Sequence, residues 1–268
     1  MARKALMVIP VEAPVQQQAF DLYATLTAAL EATQETLADG DILAVSSKYM
    51  AISEGRVIAL ADIHISAAAQ ALAERYHMNP RMAQLVLQEA DHIFGGIEGF
   101  LLTVKQGIVS PNAGIDRSNI PNGFAVLFPE DPYGSAAALR RTLRAKRGVD
   151  VGIILTDSWL MPGRWGTTGV ALAMAGFKPV QDERGKTDLF GNPMQVTQRG
   201  IADTLCICAQ MVMGERDEAT PFAIIRNSGV PLLDIELSAA DVAISWEMCL
   251  YIQSLTAGLL EGELEKRP

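Results

Sequence analysis

Apolar positions along the chain recur with two spacings, and the switches between them mark out the elements. Leu6–Val11 is a short apolar run that reads as a first strand. From Pro14 to Leu37 the apolar positions Phe20, Tyr23, Leu26 and Leu30 fall at helical spacing, and Asp39-Gly40 supplies the stop. Asp41–Ser47 and Arg56–Leu60 read as strands. Ser66 is placed to cap a helix to about Tyr76, and Asn79-Pro80 opens another that the pattern carries to about Phe94. Phe100–Val109 predicts one strand, followed by a polar Gly/Asn/Pro loop and a strand over Phe124–Phe128.

Asp131-Pro132 opens a helix whose last turns carry Arg140, Arg141, Arg144, Lys146 and Arg147, a charge placement that suits the macrodipole. Val151–Thr156 is an apolar, β-branched run of the buried kind. Residues 159–199 are rich in Gly, Pro and turn formers, with one small-residue run, Val170–Gly176. Ile201–Met213 predicts an apolar helix closed by Gly214, and Pro221–Arg226 a strand. Ser238-Ala-Ala-Asp241 has the form of a capping box for a last helix. Strands and helices mix without strict alternation, so the class is α+β or mixed α/β. No repeat or low-complexity linker divides the chain, which reads as a single domain over 1–268 with subdomain seams near 100 and 230.

Composition narrows the function classes. The 268 residues are 49% hydrophobic and 20% charged, ordinary for a globular protein with a sizeable core. A net charge of -9 argues against a nucleic-acid binder, which needs clustered Lys and Arg. It leaves room for a small anionic substrate, since one bound metal ion reverses the local charge. No apolar run is long enough to span a membrane. The start, Met1-Ala2-Arg3-Lys4 before an apolar stretch, is too short for a leader and has no small-residue cleavage site. Three cysteines without a CxxC pair read as reduced core thiols in a cytoplasmic protein.

Several motifs fail on inspection. Arg184-Gly185-Lys186-Thr187 ends like a phosphate-binding loop, but position 180, where a glycine is required, is Val180. His64, His77 and His92 are scattered without zinc-ligand spacing, and neither GxGxxG nor GxSxG occurs.

Three segments concentrate polar residues that a packed core would not select. Ser110–Asn119 follows a strand and has the composition of a tight turn with exposed N–H groups. Thr156-Asp157-Ser158 ends the most buried-looking strand, where open α/β sheets collect ligands, and a carboxylate beside a hydroxyl suits a hard divalent cation. Met213-Gly214-Glu215, with Arg216 and Asp217, closes a helix. Taken singly, each also reads as something ordinary: a surface loop, a helix N-cap, a solvated turn.

Taken together, the segments "SPNAGIDRSN", "TDSW", "DLFG…VT…ADTL" and "VMGE" resemble, in order and separation, the γ-glutamyl ligases that elongate coenzyme F420. The pattern also takes in "VIPVE", "VSSK", "EGR", "PEDP" and "PFAIIR". The resemblance implies the F420 γ-glutamyl ligase-like fold, an intertwined homodimer, and an acid–amino-acid ligase using GTP, L-glutamate, two Mg²⁺ or Mn²⁺ per site and often K⁺. It further implies that Asp116 and Asp157 hold the metals, with Ser158, where the family usually has Thr, and Glu215 as further ligands. Pro10, Val11 and Glu12, Ser46, Ser47 and Lys48, Asn119, Met213 and Gly214 then match nucleotide-contacting positions. Arg117 and Arg164 are candidates to neutralise phosphate or grip a glutamate carboxylate as a bidentate fork.

Two departures from the family pattern stand out. Ile52 occupies the place of a lysine thought to reach the nucleotide, leaving Lys48 to substitute for it. Trp159–Trp165 is more aromatic than the family pattern and reads as an insert-like loop against which a flat pterin or deazaflavin acceptor would stack. Ligation of glutamate to an F420-type acceptor, ligation to a folate-type pterin, and a nucleotide-binding relative without activity all remain open at this point.

Overall fold

The computed structural model describes residues 4–260; Met1, Ala2 and Arg3, weighed above as the start of a leader, and residues 261–268 lie outside the described residues. The chain runs β1 (Met7–Val11), α1 (Leu22–Ala32), β2 (Ile42–Ser46), α2 (Ser47–Ser53), β3 (Val57–Ala59), α3 (Ala67–Arg75) and α4 (Pro80–Glu89). It continues with β4 (His92–Ile97), β5 (Phe100–Lys105), β6 (Ile108–Pro111), β7 (Phe124–Val126), α5 (Pro132–Arg147), β8 (Gly152–Leu160) and β9 (Thr167–Ala175). A ribbon of β10 (Val180–Asp182) and β11 (Gln198–Gly200), then α6 (Ile201–Met213), β12 (Phe222–Arg226) and α7 (Leu250–Leu260) complete it. The class is mixed α and β, as the element pattern predicts.

A five-stranded sheet of order β1-β12-β2-β8-β9 forms the centre. β2 and β8 run parallel in the register Ile42↔Gly152 to Ser46↔Thr156, and the remaining neighbours are antiparallel. Ile42–Val45 and Ile153–Leu155 are fully buried, as expected of strands covered on both faces. On one face Leu43, Val45, Ile153 and Leu155 meet Leu26 and Leu30 of α1 and Leu139 and Leu143 of α5. On the other, Ile42, Ala44, Ile154 and Met174 meet Ala202, Leu205, Cys206 and Ala209 of α6. A smaller lobe between α2 and α5 holds the β3–β7 ribbon, the β4-β5-β6 sheet, α3 and α4, around Leu60, Met82, Leu85, Val86, Leu101 and Leu127.

Most elements form where the pattern places them, and the exceptions have local causes. α1 starts at Leu22, because the Asp21 carboxylate accepts from Ala24 N–H at 2.9 Å and caps it there. α4 ends at Glu89, short of Phe94, and the residues from His92 on belong instead to β4, which pairs with β5. The single strand expected over Phe100–Val109 is a hairpin, turned by Gln106 and Gly107 at φ 49° and 79°, the doubly left-handed turn that matches strand twist. The Ser238–Asp241 capping box exists but closes one 3₁₀ turn, Ala239–Asp241, and the last helix begins only at Leu250.

β8 is longer than its apolar run and carries Asp157, Ser158 and Trp159 into the sheet. Trp159, expected on a loop, is 7% exposed and packs on Phe128 and Leu172, so it is not available to stack on a substrate. The run Val170–Gly176 is largely strand β9. The β8–β9 register shifts between Leu155 and Thr156, which pair with Ala173 and Ala171 and leave Leu172 as the bulge residue. The bulge reverses the alternation of β9: Ala173 faces the α5 side, whereas Ala171 faces α6.

Gly169 lets α6 approach β9, because a Cβ there would stand 2.6 Å from the backbone C and O of Cys206. The contact is tied by the Asp203 carboxylate, which accepts from Ala171 N–H at 2.9 Å. Gly169→Ala is therefore expected to cost roughly 1–3 kcal/mol through overpacking against backbone. An unchanged midpoint in circular-dichroism melts would show that α6 can retreat without loss.

Candidate active site

Because β1, β2 and β8 share a direction, their carboxyl ends open at one edge of the sheet, the usual position for a ligand in open α/β sheets. There the chain diverges. β2 turns at once into α2, capped by the Ser46 hydroxyl accepting from Tyr49 N–H at 3.4 Å, while β8 runs straight on. The gap is a cleft of ≈ 610 Å³. It is walled by 13–17 after β1, by Ser46, Lys48, Tyr49 and Ile52, by the 116–121 loop, by Thr156–Ser158, and by 213–221 between α6 and β12.

The Ser46↔Thr156 pairing sets the next residues side by side, and Ser47 Oγ donates to Asp157 Oδ2 at 2.8 Å. Ser158 N–H donates to Asp157 Oδ1 at 2.8 Å. Burial nonetheless dominates, with the nearby Asp116 charge adding to it, and the Asp157 carboxyl is pushed up to about 6.

Asp116 arrives from the small lobe. Its backbone exchanges both hydrogen bonds with Val126 at 2.9 Å, which holds the loop in extended form. Burial pushes its pKa upward too, but Lys48 and Ser118 together outweigh that and hold it below the usual carboxylate range. Lys48 Nζ lies 2.7 Å from Asp116 Oδ2 and donates to the Ser118 carbonyl and hydroxyl at 2.9 and 2.8 Å. Ile52, one turn along α2 on the same face, is 3% exposed and packs with Ala51 and Val126.

Backbone strain concentrates in this loop. Asn112, Ala113 and Asn119 adopt φ of 50°, 55° and 50°. The first two are strapped to the β5–β6 hairpin: Asn112 Oδ1 accepts from Leu101 N–H at 2.9 Å, and Ala113 N–H donates to Thr103 Oγ1 at 2.8 Å. Non-glycine residues in left-handed geometry cost of order 1 kcal/mol each and cluster where a site demands a fixed backbone. Gly114 is required twice over, by φ 70° and because a Cβ would meet the Phe128 ring at 2.7 Å.

The third carboxylate, Glu215, follows α6. It accepts from Ser158 Oγ at 3.0 Å, from Thr167 Oγ1 at 3.3 Å, and from the Gln210 amide. Gly214 (φ 73°) turns the chain tightly enough that a Cβ would overlap the Glu218 side chain.

The structure thus brings Ser46, Lys48, Asp116, Asn119, Asp157, Ser158, Met213, Gly214 and Glu215 to one cleft, with Ser47 behind Asp157. It places others elsewhere. Pro10, Val11 and Glu12 belong to or adjoin β1; Val11 is fully buried, and the residues that reach the cleft are the next five. Arg117 lines a different pocket, and Arg164 sits exposed in the Met161–Arg164 turn between β8 and β9. Thr167 and Gln210 went unread in the sequence. Thr167 becomes a neighbour of Ser158 only through hairpin register, whereas Gln210, four residues before Gly214 on a helix, was within reach of spacing.

The donor set is carboxylates and hydroxyls only, which fits a hard divalent cation. Among the described residues no group of three His, Cys, Asp or Glu is gathered tightly enough to hold a metal alone. Asp116 with Asp157, and Glu215 with Ser158, are the oxygen donors that could take part in a site where Mg²⁺ keeps water and phosphate as its other ligands.

The raised Asp157 carboxyl has a direct consequence for stability. A folded-state pKa of about 6, above the unfolded value near 4, means stability is full below pH ~4 and falls as pH rises towards 6. Asp157→Asn removes that loss. In chelator, the variant is expected to match the parent at pH 4 and to exceed it by about 2 kcal/mol at pH 7.5 in denaturant titrations. A constant difference across the range would contradict the burial assigned to Asp157.

The family model for F420-0:Gamma-glutamyl ligase matches residues 10–227, which takes in every wall of the cleft. The chain is 42% identical over 201 residues to the coenzyme F420:L-glutamate ligase of Methanopyrus kandleri, covering 75% of this chain and 80% of that protein. It is 36% identical over 208 residues to the enzyme of the same name from Methanothermobacter thermautotrophicus, covering 77% and 82%. It is 34% identical over 224 residues to that of Archaeoglobus fulgidus, covering 83% and 88%. On a match of this extent, the chain belongs to the F420-0:γ-glutamyl ligase family.

Proposed function

We propose that this protein joins L-glutamate to the carboxylate of an F420-type deazaflavin acceptor at the expense of GTP, with divalent metal. The observation that carries this reading is the meeting of Asp116, Asp157 and Glu215, each backed by a hydroxyl, with the Lys48 ammonium in one cleft at the carboxyl ends of β2 and β8. Walls richer in carboxylates than in cations, of which Lys48 and Arg216 are two, suit a polyphosphate that brings its own metal charge, and the family match indicates which carboxylate chemistry follows.

In this scheme the γ-phosphoryl group passes from GTP to the acceptor carboxylate, giving an acyl phosphate and GDP. The deprotonated glutamate amine then attacks the acyl carbon, an amide forms, and phosphate leaves. Mg²⁺ or Mn²⁺, when bound, would offset phosphate charge and orient the γ-phosphoryl group. Asp116 and Asp157 are the residues to hold one such ion, and Ser158 with Glu215 a second. Lys48 supplies an ammonium beside the transferring group, the role that Ile52, an apolar side chain 3% exposed at the cleft wall, cannot take. The 214–220 turn and the αL residue Asn119 line the cleft, and we assign the nucleotide to that side of it. Chemistry of this kind is mostly positioning and charge neutralisation. The acceptor meets the cleft elsewhere than at Trp159, which is a packing residue. We also read the chain as a homodimer: Leu189, Phe190 and Val196 stand out on the segment between β10 and β11.

Phosphate release from GTP is expected only when divalent metal, L-glutamate and a deazaflavin acceptor are all present. Asp157→Ala is expected to lower kcat/KM by roughly 10²–10³. Phosphate release that is independent of glutamate, or an unaffected Asp157→Ala, would reject the scheme; product mass distinguishes deazaflavin from pterin acceptors. Sedimentation equilibrium at micromolar concentration is expected to give twice the chain mass, and a monomer would reject the dimer.

A further inference from the structure

A second pocket, of ≈ 420 Å³, opens on the reverse side of the loop that carries Asp116. That size lies within the range of small-molecule sites, about 300–1,000 Å³. Its wall is formed by His77, Met78, Asn79, Met82, Gly99 and Phe100 of the small lobe, with Asn112 and Ile115–Ser118. The loop is extended at Asp116, so successive side chains alternate between its two sides. Ile115 and Arg117 accordingly face this pocket alone, while Asp116 and Ser118 border both it and the main cleft. The two spaces therefore share a wall one residue thick.

The polar groups around the second pocket are nearly all donors. Asn79 Oδ1 accepts from Arg81 N–H and Asn112 Oδ1 from Leu101 N–H, both at 2.9 Å, which commits each amide oxygen and leaves each NH₂ end without a hydrogen-bond partner among the described residues. Arg117 has no carboxylate within ion-pair distance among the described residues, and Asp116, the single acid in the wall, is already paired with Lys48. His77 adds a further ring N–H. Met78, Met82, Phe100 and Ile115 provide apolar surface between these donors. Free donors around an apolar floor suit a molecule with carboxylates spaced by methylenes, and an arginine fork is matched to a carboxylate.

The geometry points to this pocket as the site that binds a glutamyl unit, with Arg117 gripping one of its carboxylates and Asp116 and Ser118, which border both spaces, at the junction with the nucleotide cleft. The assignment rests on the ligase reading above and specifies where its amino-acid side is held. The same carboxylate chemistry belongs to free L-glutamate and to a glutamyl tail already on the acceptor. Arg117 is exposed and makes no ion pair among the described residues, so its replacement is expected to leave the protein folded.

The test is calorimetric titration of the full chain, with GDP and Mg²⁺ present, by L-glutamate and separately by γ-glutamyl-glutamate. GDP binding is measured on its own. Arg117→Ala is expected to weaken the better of the two ligands about tenfold or more, Arg117→Lys less, and GDP not at all. A preference for L-glutamate identifies the free amino acid as occupant, and a preference for the dipeptide identifies the acceptor's tail. The subsite is overturned if wild-type protein binds neither ligand, if Arg117→Ala binds both as wild type does, or if only main-cleft variants such as Asp157→Ala lose them. Failure of GDP to bind counts against the ligase reading and leaves the glutamate titration to be judged by itself.

Discussion

The parallel pairing of β2 with β8 is the constraint on which the site depends. It fixes Ser46 opposite Thr156, so the two chains leave the sheet at the same level. One then coils into α2 and the other continues as strand, and a cleft opens where they part. Ser47 and Asp157 are the first residues beyond the shared register, and their 2.8 Å hydrogen bond ties the two departures together. β2 also lies between β12 and β8 with its apolar residues buried on both faces, so a slip by one residue would turn every side chain to the wrong face.

Around that edge the protein keeps carboxylates where burial disfavours them. Asp157 is raised because it is desolvated beside another acid, whereas Asp116 is lowered because Lys48 answers its charge. The two acids therefore differ in proton affinity although they serve one cleft. A positive charge between them would offset the cost carried by Asp157. Glu215 differs again: it is held by hydroxyls and an amide on an exposed turn.

The small lobe acts as a holder for one loop. Its hairpin, helices and ribbon close their own core, and the left-handed run from Asn112 to Gly114 is strapped to that hairpin. α2 then links lobe to sheet, with Ile52 packed on Val126 and Lys48 reaching Asp116 and Ser118. A single helical face thus carries both the apolar clamp and the polar contact, so the position of Asp116 over the sheet edge is set by packing as well as by charge.

The sequence by itself determined the mixed class, most helix starts, the buried strands and the order of the polar segments. These are local matters: caps at Ser66, Asn79 and Asp131, a glycine stop at Gly214, and apolar runs long enough to read. Motif order was also sufficient to point to the family. Tertiary structure alone decided what needs register or distance. The Gln106-Gly107 turn splits an apolar run into a hairpin, a distinction periodicity does not make. The bulge at Leu172 reverses the faces of β9, and the length of β8 buries Trp159, which sequence placed on a loop. Alternation along an extended strap sends Arg117 away from Asp116, its neighbour in sequence. Pro10–Glu12 lie too early: Val11 points into the core, and the residues that line the cleft are those after the strand, from Ala13 on. Neighbours along the chain share a motif, but strand alternation and the sheet's edge decide which of them face the same space.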